Sequence, residues 1–232
     1  KQGEQAKILE DYKTAAMHFL RVGKLAPSSK IRPTAEYDGA AALIQLKEWD
    51  RAAEVLIAFR KNFPNHELQP EATKKVAFVY RSAGKLELAA AEYERIERES
   101  KDEQVRRGAL VVAAELYNET GAREKELAVY KRYVAFFPNP IDEALEIYSK
   151  MAGVYKLLGD NSNHLATLSR IVSIDKGAGN QRTDRTRYLA AQAALVITEP
   201  LYERFVEVKL VSPLKQTLLN KKKSMKTAVD AY

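Results

Sequence analysis

The chain has 232 residues, of which 46% are hydrophobic and 30% charged, a balance that builds a buried core and excludes a disordered polypeptide. It has no cysteine, which excludes a disulfide framework, a zinc–thiolate site and thiol catalysis. The net charge of +7 lies almost wholly in the last quarter, where from Lys176 onward eleven Lys and Arg face five Asp and Glu.

In chain order, the opening Lys1-Gln2-Gly3-Glu4-Gln5 lacks the charged-then-apolar pattern of a signal segment. A phrase of tight turn, aromatic, Ala, aromatic or Leu, and Pro then begins. Its first copy is Tyr12, Ala15, Phe19, Val22, Pro27 and its second Trp49, Ala52, Leu56, Phe59, Pro64. The third is Leu86, Ala89, Tyr93, Ile96, Lys101 and the fourth Arg123, Glu126, Tyr130, Tyr133, Pro138. The fifth, Asn161, His164, Leu168, Ile171, Lys176, has lost both the aromatic and the Pro. The closing residues are spaced by 37, 37, 37 and 38.

A second phrase precedes each copy. Small residues stand at Gly3, Ala40, Ala77, Ala114 and Ala152, followed three residues later by Ala6, Leu43, Tyr80, Tyr117 and Tyr155. Gly84, Gly121 and Gly159 mark turns between the two phrases. Apolar residues three and four apart occupy one helical face. A small residue admits a partner helix, Gly ends the first helix, and Pro stops the second. Each unit is then a helical hairpin with one apolar side open, and stacking the next hairpin closes it.

These residues resemble the tetratricopeptide repeat family over about residues 1–176, with a period some three residues longer than the usual ~34. The resemblance implies an all-α fold, a right-handed superhelical α-solenoid of about five hairpins, the first truncated. Residues 177–232 are expected to form C-terminal capping or bridging helices. The closes Phe59-Arg60-Lys61-Asn62-Phe63-Pro64 and Tyr133-Val134-Ala135-Phe136-Phe137-Pro138 look like repeats of Gram-negative envelope proteins, such as outer-membrane assembly lipoproteins and Tol–Pal coordinators. That likeness implies a periplasmic or outer-membrane-associated protein, with a cytoplasmic adaptor as the alternative. By the register Lys1 falls in mid-helix, so the chain is expected to be a segment of a longer array with additional repeats.

Beyond Lys176, Gly177-Ala178-Gly179-Asn180-Gln181-Arg182 reads as a flexible loop. It has no preceding strand and no Lys-Ser/Thr ending, as a phosphate cradle requires. A helix follows from Thr183, with Pro200 expected to end or kink it. Ser212-Pro213 then reads as a cap and first helical residue.

The chemistry-bearing residues form no catalytic constellation. His18, His66 and His164 lie in different repeats, and no nucleophile elbow, dinucleotide fingerprint or kinase signature occurs. Glu92, Glu94, Glu97 and Glu99 with Arg95 and Arg98 read as a solvated face of i,i+4 pairs. The expectation is therefore a non-enzyme without metal or cofactor.

The working part is expected to be the concave groove lined by the first helix of each hairpin. The face opposite the packing positions carries Tyr37, Ala41 and Ile44, then Lys74, Phe78 and Arg81. It continues with Val111, Glu115 and Asn118, and finally Ser149 and Lys156. This mixture suits an extended peptide or a partner helix. The Lys/Arg–Asn clamp by which some repeats of the family hold a terminal carboxylate is incomplete, since Lys74 and Arg81 are accompanied by no Asn from repeat two. A second candidate is an anion patch at Lys221, Lys222, Lys223 and Lys226. No aromatic residues interleave it, which speaks against stacking on nucleic acid.

Overall fold

The computed structural model describes residues 2–231, with side chains from residue 7 onward. Lys1 lies outside the described residues, as do the surroundings of Gly3 and Ala6, which the repeat register invoked. The described residues form eleven α-helices and no strand, an α-solenoid of stacked hairpins. In order they are α1 (Gln2–Leu25), α2 (Arg32–Gln45), α3 (Trp49–Asn62), α4 (Gln69–Ser82), α5 (Leu86–Glu99) and α6 (Glu103–Thr120). Then come α7 (Arg123–Phe136), α8 (Ile141–Leu157), α9 (Asn161–Gly177), α10 (Asp184–Glu207) and α11 (Leu214–Ala231).

The hairpin turns share one hydrogen-bond pattern. Glu48 N donates to Leu43 O at 3.0 Å, Lys85 N to Tyr80 O at 2.8 Å, Ala122 N to Tyr117 O at 2.9 Å and Asp160 N to Tyr155 O at 2.9 Å. Each closes a left-handed cap that satisfies the carbonyls left open at a helix end. Gly84, Gly121 and Gly159 adopt φ of 73°, 73° and 71° there, as their spacing implied. The turn after α2 has no glycine and places Lys47 at φ 58° instead, a conformation that costs a β-carbon about 1 kcal/mol. The second helices end two residues before proline, at Leu25, Asn62 and Phe136 ahead of Pro27, Pro64 and Pro138.

The chain divides into two units, one through Val129 and one from Tyr130. In the first, each helix from α1 to α6 packs on the next. Its core holds Ala16, Ala40, Leu43, Ala52, Leu56, Phe59, Ala72, Val76 and Val79. Phe59 is fully buried, with ring centroids 6.1 Å from Tyr37, 5.4 Å from Phe63 and 5.6 Å from His66. In the second unit α8 packs on α9, and α10 lies against both. Leu145, Ala152, Leu168 and Ile171 there meet Leu189, Ala190 and Ala193 of α10 in one buried cluster. The register residues Ala40, Ala77, Ala114 and Ala152 are all buried.

The structure departs from the sequence reading at several places. Residues 2–25 form one unbroken helix where the register expects a turn near residue 10. The fifth copy's closing residue, Lys176, lies inside α9, where no proline stops the helix. The following link is no free loop. Gly179–Gln181 is a 3-10 turn, and Arg182 beyond it donates to the buried Asp175 at 2.6 Å. The helix α10 runs through Pro200 without ending, the loss of one donor being local to one turn. Neither Ser212 nor Pro213 is helical; α11 opens at Leu214, after a cis Ser212–Pro213 bond.

The acidic face of α5 is the largest correction. Arg60 of α3 makes a bidentate pair with Glu92, one contact of which is 2.9 Å, and both side chains are nearly buried. Thr73 of α4 lies between them and Glu99, 3.5 Å from Arg60 and 3.2 Å from Glu99. Glu97, buried, accepts from Arg106 of α6 at 2.7 Å, and Glu94 from the Tyr117 hydroxyl at 2.8 Å. Only Arg95 and Arg98 keep the expected i,i+3 and i,i+4 partners on solvent.

Candidate functional site

The first helices α2, α4 and α6 carry the predicted strip of the first unit, and the structure sorts its residues into three kinds. Tyr37 and Ile44 are half-buried and pack against the core, and Ala41 is half-buried beside them on α2. The Tyr37 hydroxyl is held above its ordinary pKa by burial, with Glu71 and Asp38 adding to it. Lys75 of α4 places its Nζ 5.4 Å over the Tyr37 ring, a cation–π contact tying neighbouring first helices together.

On α4, Lys74, Phe78 and Arg81 share one exposed face. Phe78 is 50% exposed, and its ring stands edge-on to Trp49 with centroids 6.2 Å apart and planes at 80°. That contact holds an apolar ring in solvent without letting it sink into the core. Arg81 has no carboxylate partner among the described residues, and Lys74 has only Glu71 at 2.9 Å, an exposed pair of small net worth. Trp49 also lines a shallow depression of about 410 Å³ with Lys47, Asp50, Arg51, Ala83 and Lys85. The repeat phrase assigned Trp49 to packing alone, and a single Trp at a helix start beside a turn is the signal that marks it as more.

On α6, Val111 is half-buried and Glu115 exposed. Asn118 is committed elsewhere: its Nδ2 donates at 2.9 Å to Glu126, which also accepts from Arg123 at 2.8 Å. Glu126, standing where the repeat favours Ala, is buried, so Asn118 and Arg123 compensate a carboxylate at the turn. In the second unit, Ser149 is half-buried and Lys156 exposed on α8.

The lysine patch is not uniform. Lys221 donates to Val208 O at 3.0 Å and lies 4.8 Å over the Phe205 ring, which fastens α11 to the end of α10. Lys222, Lys223 and Lys226 are exposed. Two of the histidines have structural surroundings: His66 Nδ1 accepts from Leu68 N at 3.2 Å, and His164 Nδ1 lies 2.8 Å from Ala152 O; His18 is exposed on α1. Among the described residues no three His, Cys, Asp or Glu gather into a metal-binding group, and no helix is long and apolar enough to cross a membrane.

Residues 35–66, which span α2 and α3, match the tetratricopeptide repeat family. The chain is also similar to solved structures. A putative kinesin light chain of Podosopora anserina with nearly identical TPR-like repeats aligns at 16% identity and TM-score 0.45, over 78% of this chain and 91% of that one. The MamA RS-1 ArsTM double mutant aligns at 16% identity and TM-score 0.38, over 74% and 96%. BtubC (BKLC) from P. vanneervenii aligns at 12% identity and TM-score 0.37, over 97% and 90%. No curated protein matches the chain.

Proposed function

We propose that the protein is a non-catalytic scaffold that binds a peptide or partner helix along the exposed face of its first helices, with α4 at the centre. One observation carries this reading: Phe78 is kept half in solvent by an edge contact with Trp49, with Arg81 and Lys74 on the same face. An aromatic anchor flanked by cations that no strong internal pair consumes is how interaction surfaces concentrate their energy. The match of residues 35–66 to an interaction repeat agrees with it. The closes Phe59–Pro64 and Tyr133–Pro138, each with an aromatic four residues before the aromatic that precedes Pro, favour a bacterial envelope complex, with a cytoplasmic adaptor as the alternative.

The test is affinity capture by the chain and by its Lys74→Ala/Phe78→Ala/Arg81→Ala variant, from periplasmic and cytoplasmic extracts separately. Partners lost with the variant support the groove, and the extract that supplies them decides the compartment. Identical partners on both baits reject the groove.

A further inference from the structure

A cleft of about 950 Å³ opens between α1 and α3, the second helices of their hairpins, over a floor provided by α2. It shares none of the groove residues on α4. Its origin is visible in the repeat register. One repeat further on, the junction of α3 with α5 is filled by Arg60, Thr73 and Glu92. The residues 37 earlier are Gly23, Glu36 and Val55, and all three line the cleft. A bridging ion pair is thus replaced by a glycine and a valine, and no side chain spans from α1 to α3. Glu36 has turned to Arg32, 2.6 Å away, and a β-carbon at residue 23 would lie 2.7 Å from its carboxylate oxygen.

The walls mix apolar and charged side chains. Met17, 59% exposed, faces the cleft with Leu20, Leu43, Val55 and Ala58. The charges are unevenly placed. Lys13 and Arg51 have Glu10 and Glu48 as partners, whereas Arg21 and Lys24 have no carboxylate partner among the described residues. By the 37-residue register, uncharged Ala58 stands across from Arg21. The cleft therefore has an apolar stripe from Met17 and Leu20 across to Val55 and Ala58, a paired Arg32 and Glu36 on its floor, Glu54 on the α3 wall, and Arg21 and Lys24 at one end.

We propose that this cleft is a second docking site, taking an amphipathic helix of a partner protein whose acidic end lies over Arg21 and Lys24. The lining from Glu10 to Lys24 spans about four helical turns, open to solvent along its length. The small, exposed Ala58 lets a helix backbone approach the α3 wall closely. The row of apolar residues meets anchors at i, i+3, i+4 and i+7, and the unmatched cations set the direction of the guest.

The proposal stands independently of the α4 groove, and the experiment separates them. A display library of 16-residue helical peptides is selected on the chain. Enriched peptides are expected to join an apolar face to Asp or Glu at one end. Their affinity is expected to fall at least tenfold on Ala58→Trp, which fills the cleft from an exposed position, and on Arg21→Glu/Lys24→Glu, while Phe78→Ala leaves it unchanged. The triple variant Gly23→Arg/Glu36→Thr/Val55→Glu copies the α3–α5 junction, and it is expected to abolish binding while its circular dichroism stays helical. Peptides without acidic bias, affinity that survives Ala58→Trp, loss on Phe78→Ala, or no binder at all each overturn the proposal. So does a concentration-dependent dimer that Ala58→Trp dissociates, which assigns the cleft to a second copy of the chain.

Discussion

Arg60 and Glu92 stand 32 residues apart and meet in a two-pronged pair that joins α3 to α5 across Thr73 of α4. Both side chains are nearly buried, so each charge depends on the other for the solvation it has lost. Arg60→Ala leaves Glu92 with the more distant, half-exposed Arg95 at 3.6 Å. We expect it to lower stability by about 3–5 kcal/mol, read as a fall in the thermal midpoint. The double variant Arg60→Met/Glu92→Leu removes both charges and is expected to be near neutral. Equal losses in the single and double variants would show that packing, not charge, carries the contact.

The four hairpin turns provide an internal comparison. Lys47 holds φ 58° with a β-carbon, where Gly84 holds φ 73° without one. Lys47→Gly is expected to stabilise by about 1 kcal/mol and Gly84→Ala to destabilise by about 1–2 kcal/mol. Chemical denaturation of both variants checks the pair, and the opposite signs are the point of the test.

Asp175 gives the protein an acid limb. Its carboxylate, buried, accepts from Arg182 at 2.6 Å and from the Thr186 hydroxyl at 2.8 Å. The Arg182 hydrogen bond foremost holds its pKa below the ordinary carboxylate value, against the opposing effect of burial. A carboxylate depressed in the folded state adds stability above its unfolded pKa of about 3.9. That stability is lost as pH falls from there through the lower folded value. Melting curves from pH 7 to pH 2.5 should show Asp175→Asn flattening this limb, with a thermal midpoint lower than wild type at pH 7 and converging on it at the acid end. A constant difference across the range would remove Asp175 as the cause.

Phe59 and Phe78 separate core from surface. Phe59 is fully buried among three rings, and Phe59→Ala is expected to cost about 3–5 kcal/mol. Phe78 is half-exposed and loses little beyond its Trp49 contact, about 0.5–1.5 kcal/mol. Stability of the Phe78→Ala variant should therefore lie near wild type while capture of groove partners falls. A melting loss as large as that of Phe59→Ala would make Phe78 a core residue.

Much of the helical framework was legible because it depends on neighbours in sequence. Ala40, Ala77, Ala114 and Ala152 recur at one register and are buried where a second helix approaches. Gly84, Gly121 and Gly159 announce left-handed turns, and Pro27, Pro64 and Pro138 announce helix ends. Lys47 was hidden because the turn it makes is imposed by the flanking helices rather than by its own preference. The candidate strip was legible as a set of positions but not as a set of roles. Asn118 turned out to serve Glu126, and Tyr37 the core, because side chains of one helical face divide according to what the adjacent helix presents.

Helical class and most turn positions were determined by the sequence itself, since main-chain bonds four residues apart and apolar spacing are local properties. Which charges are buried was decided only in three dimensions. Glu92 reads as one of a row of solvated carboxylates until α3 brings Arg60 against it. The cleft between α1 and α3 exists only because the two helices leave between them a gap that no side chain spans. Coulombic and packing energies depend on distance through space, and a register of 37 fixes the partners of a side chain only once the hairpins have stacked.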